Sequence, residues 1–311
     1  MQLRSHLIIL VSAALLPVLI FAGVMLVQFS SQQRSAVEEG LVHTARALSL
    51  AVDREIEATI RVLQALATSE HLETGDLKQF YDQARRALKT QQGWDTIALF
   101  DSGERQLLNL LRPFGSPMPS PPPVLALGIK DAIELKRPII SNLFVGRVSG
   151  ELRIAVTVPL IHNREVKYVV AAATPPAFLV KLLKEQNIPA DWLATIIDRN
   201  QVIVARTRGF EKFVGQPAGA LFAAKSREAQ EGVFRGFPLE SAPAYTGFHG
   251  SELSGWTVVL AIPASAVESP LRRSLFLAAA GGIALLLLGI ALATLFGHRV
   301  TASIGALDWL A

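Results

Sequence analysis

Two uninterrupted apolar runs, residues 7–27 and 275–296, set the frame within which the rest of this chain must fold. Each is about 20 residues long, the length an α-helix needs to cross the hydrocarbon core of a bilayer. Neither contains an Asp, Glu, Lys or Arg, so each can leave water without stranding a charge in hydrocarbon, which costs about 2.5–3.5 kcal/mol. Both are predicted to be membrane helices, and Pro17 is tolerable in the first because neighbouring groups can satisfy the carbonyl it frees. The length of the first run and the lack of an A-x-A site after it favour an uncleaved anchor over a removed signal peptide. Arg4, His298 and Arg299 favour both termini in the cytoplasm, whereas Arg272 and Arg273 argue the other way. A long intervening segment translocates largely regardless of charge, so residues 1–6 are expected inside and 28–274 outside the cytoplasm of an inner-membrane protein.

Charge is concentrated between the two runs. The 30 Lys and Arg residues outnumber 26 Asp and Glu only slightly, and the two signs are interleaved, so no basic stripe for nucleic acid is present. The absence of cysteine excludes disulfides, thiolate metal sites and a cysteine nucleophile. His6, His43, His71, His162, His249 and His298 are scattered, with no i, i+4 pair or carboxylate at metal-ligand spacing. His43 lacks the acidic residue that follows a phosphoacceptor histidine. With no nucleophile elbow, P-loop or dinucleotide fingerprint, neither catalysis nor a cofactor is expected within these residues.

Past the first run, Leu41, Ala45, Leu48, Val52, Ile56, Ile60, Leu63 and Leu66 recur at steps of three and four, which predicts one amphipathic helix from Ser30 to Ser69. A second helix is expected from Asp76, its N-cap, to Thr90. Strand signals then come twice. Residues 94–108 and 192–205 each read as strand, tight turn, strand, with Gly103 and Asn200 available for positive φ. Each unit closes with two further strands, 151–159 and 166–174 ending at Pro175, then 244–249 and 256–262 ending at Pro263. The proline stands where a strand stops and a helix can start. The proline-rich stretch Arg112–Pro123 between hairpin and closing strands reads as a surface excursion.

Two tandem α/β units, a long helix rising from a first apolar run, Asp-x-Gly-type hairpins, and Gly255-Trp256-Thr-Val-Val leading to a second run resemble the double Cache sensor domain of bacterial transmembrane receptors. Within that group Leu107-Leu-Asn-Leu-Leu-Arg-Pro-Phe-Gly115, Asp198-Arg-Asn-Gln-Val-Ile-Val-Ala-Arg206 and Phe213-Val-Gly-Gln-Pro217 are similar to sensors that precede histidine kinases. The resemblance implies an α/β (α+β) fold of tandem PAS-like Cache units on a long N-terminal helix, flanked by two transmembrane helices. The implied division is a stalk and long helix at 28–90, a membrane-distal unit at 91–175 and a membrane-proximal unit at 176–273. Residues 297–311 are similar to the start of a HAMP linker, with Ser303 where that family usually has proline. The chain is thus expected to be the ligand-sensing part of a larger receptor cut inside that linker, most like a two-component histidine kinase. A chemoreceptor, a diguanylate cyclase or a partner-binding module are the alternatives.

The resemblance further implies a homodimer with a small ligand held in the distal unit, between Trp94 and Val170. Relatives that bind free amino acids carry Arg-x-Trp-Tyr and a later Tyr-x-Asp. This chain lacks the first and has Phe144-Val145-Gly146 in place of the second, so the Asp expected to meet an α-ammonium is missing. Arg105, Arg112, Arg147 and Arg153 suit instead a carboxylate or other anion through bidentate pairing, with Trp94 and Phe144 as candidate walls.

Overall fold

The computed structural model describes residues 2–236 and 243–305. The first apolar run and the predicted amphipathic helix form one continuous element, α1 (Gln2–Ala67). Of the eight stripe positions, Leu41, Ala45, Leu48, Val52, Ile56, Leu63 and Leu66 are buried, as the helical period requires. The short α2 (Glu70–Thr74) ends on Gly75 in the left-handed region. In α3 (Leu77–Leu88), Gln79 N–H donates to Asp76 Oδ1 at 3.1 Å, the predicted N-cap.

Two antiparallel sheets follow. The first contains β1 (Thr96–Asp101), β2 (Gln106–Asn109), β3 (Ile139–Ile140), β4 (Phe144–Val145), β5 (Leu152–His162) and β6 (Glu165–Thr174), in the order β2-β1-β6-β5-β3 with β4 on β5. Between β2 and β3 runs α4 (Pro123–Leu135), a helix the sequence reading did not place. Pro123 opens it with its missing N–H where no donor is needed. After β6, α5 (Pro176–Glu185) starts at the predicted proline boundary. The second sheet is built from β7 (Leu193–Ile197), β8 (Ile203–Arg206), β9 (Glu231–Gly236), β10 (Ala244–Gly250) and β11 (Thr257–Pro263), in the order β8-β7-β11-β10-β9. The short helices α6 (Phe210–Phe213) and α7 (Ala220–Glu228) lie between β8 and β9. Chain order and sheet order therefore repeat: β2-β1-β6-β5 corresponds to β8-β7-β11-β10.

The repeat extends to single atoms in the hairpin turns. Asp101 Oδ1 accepts from the N–H groups of Gly103 and Arg105 at 3.0 and 2.9 Å; Asp198 Oδ1 accepts from Asn200 and Val202 at 2.9 and 3.0 Å. The residues at positive φ are Glu104 (63°) and Gln201 (61°), one position after those expected. The aspartate bonds hold both turns in register, so the left-handed residue falls just before the returning strand.

Each sheet has its own apolar core. Phe100, Ile129, Phe144 and Val169 join the first sheet to α4, while Ile197, Phe213, Phe222, Phe248 and Val259 fill one face of the second. α1 packs on the second sheet and reaches the segment that leads into β1. Its backbone crosses β10 where Gly247 leaves room: a Cβ there would stand 2.8 Å from Leu41 Cβ and 2.9 Å from its carbonyl carbon. Farther along, Ser251 Oγ donates to Asp53 Oδ1 at 2.7 Å, Arg46 pairs with Glu231 at 2.5 Å, and Trp94 Nε1 donates to Thr59 Oγ1 at 3.2 Å.

Gly40–Pro263 form one compact unit, and the terminal helical segments fall outside it. The last, α8 (Ala264–Gly305), begins at the residue after β11. Within it Ala264–Leu292, 29 residues, is among the described residues the one helical stretch long and apolar enough to cross a membrane. Phe276, Ile283, Leu287 and Leu288 are exposed. The part of the expected HAMP-like linker from 306 to 311 lies outside the described residues.

Candidate ligand cavity on the first sheet

One face of the first sheet is lined by small side chains. Ala98 of β1, Ala155 of β5, and Ala171 and Ala173 of β6 point to the same side, because alternate residues of a strand share a face. They floor a cavity of about 50 Å³, room for a few water molecules. Pro121, Pro122 and Leu125 cover it from the start of α4, and Phe144 with the 146–149 loop covers it from β4. The proline-rich stretch is therefore part of the cover. Val170, on the opposite face of β6, is fully buried away from the cavity.

The cavity's polar groups are few and specific. Thr96 Oγ1 donates to Asn109 Oδ1 at 2.7 Å, and both line the wall. Arg153 reaches in from β5 with its side chain 8% exposed, bridging Asp95 Oδ2 and Glu151 Oε2, each at 2.7 Å. Its Nη1 donates to the Leu152 carbonyl at 2.9 Å. Burial works against the charged guanidinium, yet the bonds to Glu151 and Asp95 outweigh it and hold its pKa above the ordinary value. Arg147 also lines the cavity, is exposed, and has no hydrogen bond or ion pair among the described residues. The loop carrying it is closed by Gly146 N–H to Glu151 O at 2.8 Å and Gly150 N–H to Gly146 O at 2.7 Å.

Of the six residues singled out from sequence, Phe144, Arg147 and Arg153 come together at this cavity. The other three are elsewhere. Trp94 is bonded to α1, Arg105 pairs with Asp101 at 2.8 Å in the exposed hairpin turn, and Arg112 Nη1 donates to the Pro117 carbonyl at 2.8 Å. Asp95, Thr96 and Asn109 line the cavity and were not foreseen. The run Ala171-Ala172-Ala173 inside an otherwise bulky strand was the available signal for the floor.

The cover of this cavity is tied to the second sheet. Leu143 N–H donates to Asp198 Oδ2 at 3.0 Å, and Arg199 Nε donates to Asn142 Oδ1 at 3.1 Å while its Nη2 reaches the Ile140 carbonyl. Gly255, at φ 69°, lets the Arg199 stem pass: a Cβ there would lie 2.9 Å from Arg199 Cδ. Gly255 is followed by Trp256, which is buried, and then by β11.

Solved sensory domains share this arrangement. The periplasmic sensory domain of the Campylobacter jejuni chemoreceptor Tlp1 matches with a TM-score of 0.58 at 13% identity, over 76% of this chain and 99% of that one. The chain has the double Cache fold. The ligand-binding domain of Pseudomonas fluorescens chemoreceptor CtaA, solved with L-isoleucine, matches with a TM-score of 0.59 at 12% identity, over 77% and 97% of the two chains. The extracellular domain of rpHK1S-Z16, described as a histidine kinase, matches at 0.57 and 13%, over 76% and 98%. No family model and no curated protein matches the sequence. The likeness to double Cache domains therefore lies in the fold.

Proposed function

We propose that this chain is the sensing and membrane-spanning part of a bacterial receptor, and that it binds a small carboxylate in the cavity of the first sheet. The observation that carries the reading is an alanine-floored cavity with the uncommitted guanidinium of Arg147 at its edge. Arg153 has its donors engaged by Asp95, Glu151 and Leu152, so its part is to hold the wall, and Arg147 is left to meet an anion bidentately. The fold supports the reading, since related domains were solved with L-isoleucine in CtaA and with GABA in PctC of Pseudomonas aeruginosa. A second reading is favoured by Asp95 on the cavity wall: the ligand also carries an ammonium group.

Residues 7–27 and 275–296 are proposed as the two spans of an inner-membrane protein, with 28–274 outside the cytoplasm and distal and proximal units at 91–175 and 176–273. A homodimer paired along the membrane-proximal part of α1 is part of this reading. Of the outputs such receptors drive we favour a histidine kinase, on the kinase-like phrases at 107–115, 198–206 and 213–217. Occupancy of the cavity would be relayed through Leu143 and Asp198 to β11 and so into α8, as a shift of about 1–2 Å. A full swing requires the ligand to prefer one state by about 5.5 kcal/mol.

The test is thermal unfolding of the full chain in lipid nanodiscs against acetate, succinate, γ-aminobutyrate, L-amino acids and simple amines. A carboxylate should raise the midpoint, and Arg147→Ala should abolish the rise while Arg105→Ala leaves it intact. A rise confined to compounds with both charges selects the second reading. A well-folded chain that no compound stabilises rejects both.

A further inference from the structure

The second sheet holds a cavity at the place that corresponds to the first, and its chemistry is different. In the first sheet Ala98 stands opposite Ala171 and Asn109; in the second, Thr195 stands opposite Val259 and Arg206 in the same two strand pairings. Both cavities lie against this same face of the sheet, each covered by the start of a helix, α4 in one and α7 in the other. The second measures about 140 Å³ against about 50 Å³. Leu193, Ile197, Phe222, Phe234 and Val259 make most of its wall, where the first has alanines and charged groups.

A water molecule needs two to four polar partners to settle in such a space, and an apolar cavity of about 150 Å³ in a protein core stays dry and takes up benzene. Arg206, Thr195 and Thr246 are the polar side chains of the lining; the guanidinium stacks on Phe213 at 4.0 Å and is engaged within the protein, and the other lining residues are apolar or glycine, so hydrocarbon surface decides what fits. We propose that this cavity is a second binding site, for a small uncharged molecule with an aromatic or branched hydrocarbon body of about six to eight heavy atoms. The site is separate from the proposed carboxylate site and does not depend on it. Two inputs of opposite chemistry would then reach the same receptor, the apolar one at the sheet whose last strand precedes α8.

Fluorobenzene is the probe, added to the full chain in lipid nanodiscs with thermal unfolding followed by circular dichroism. A specific site should raise the midpoint by about 2–4 °C, the shift that a kilocalorie of binding gives in a domain of this size. Ala261→Leu on the floor and Ala218→Leu at the cover each fill the cavity, and either should abolish the rise; if one variant fails to fold, the other decides. Ala98→Leu, which fills the first cavity, should keep the fluorobenzene rise while losing any carboxylate rise. No rise in the unaltered chain, a rise that survives the filled second cavity, or one lost equally in Ala98→Leu overturns the proposal. A missing carboxylate response leaves the fluorobenzene result standing, so the two sites fail independently.

Discussion

Asp53 faces the second sheet from α1, half-buried, and accepts a hydrogen bond from Ser251. Burial pushes its carboxyl above the ordinary carboxylate value, Glu57 adds to the rise, and the Ser251 bond and His249 oppose it. Because the folded state binds this proton more tightly than the unfolded chain does, its stabilising contribution is complete below the unfolded value near 3.9 and is lost as pH climbs through the folded one. Asp53→Asn keeps an oxygen for Ser251 and removes the charge. It is expected to unfold at a higher temperature than the parent at pH 7, with the gap closing by pH 4; an unchanged gap across that range would show that burial of the charge is not what destabilises the site. Single residues also mark where sequence reading reached its limit. Arg147 and Arg153 were legible as arginines near strand ends, but Arg105 and Arg112 were indistinguishable from them. What separates the four is register: Arg153 shares the strand face of Ala155, and Asp95 meets it only because β6 lies between β1 and β5. That pairing spans 58 residues, and no local pattern encodes it.

Among the elements, α1 bears on the second sheet at named points, and Gly247 is the tightest of them. Gly247→Ala would drive a methyl group against the Leu41 backbone, where neither partner has a rotamer to yield. The expected cost is about 1–3 kcal/mol, read as a lower denaturation midpoint, whereas Gly40→Ala, with open space at its Cβ, should be neutral or slightly stabilising. Equal effects at the two positions would contradict the close approach. The helix itself was plain in the sequence because its stripe repeats over seven turns, and β1, β2, β7 and β8 were plain because short, largely apolar runs flank an Asp-led turn. α4, α7 and β9 were missed for physical reasons. Pro121–Pro123 read as a loop because the helix they start lies beyond them, and Glu231–Gly236 owes its strand state to pairing with β10 rather than to its own pattern.

At the scale of the whole unit Gly40–Pro263, the two sheets are joined through the side chain of Asp198. One oxygen serves its own turn and the other holds Leu143 beside the first cavity. Asp198→Asn leaves a single acceptor for these donors, and losing one buried bond is expected to cost about 1–3 kcal/mol. Its sharper signature is in hydrogen exchange. A ligand that protects amides of β4 and β5 in the parent should also protect those of β11, and in Asp198→Asn the first protection should persist while the second fades. Protection of β11 that survives would remove Asp198 from the relay. The twin turn shows what is particular here, since the second oxygen of Asp101 goes to the side chain of Arg105. A bond between two side chains binds two positions to a common fate under mutation. The bond from Asp198 ends on a main-chain N–H, which every residue except proline supplies, so position 143 can drift while the link persists. Across distant homologues the connection between the sheets would then leave one constrained column and no covariation to mark it.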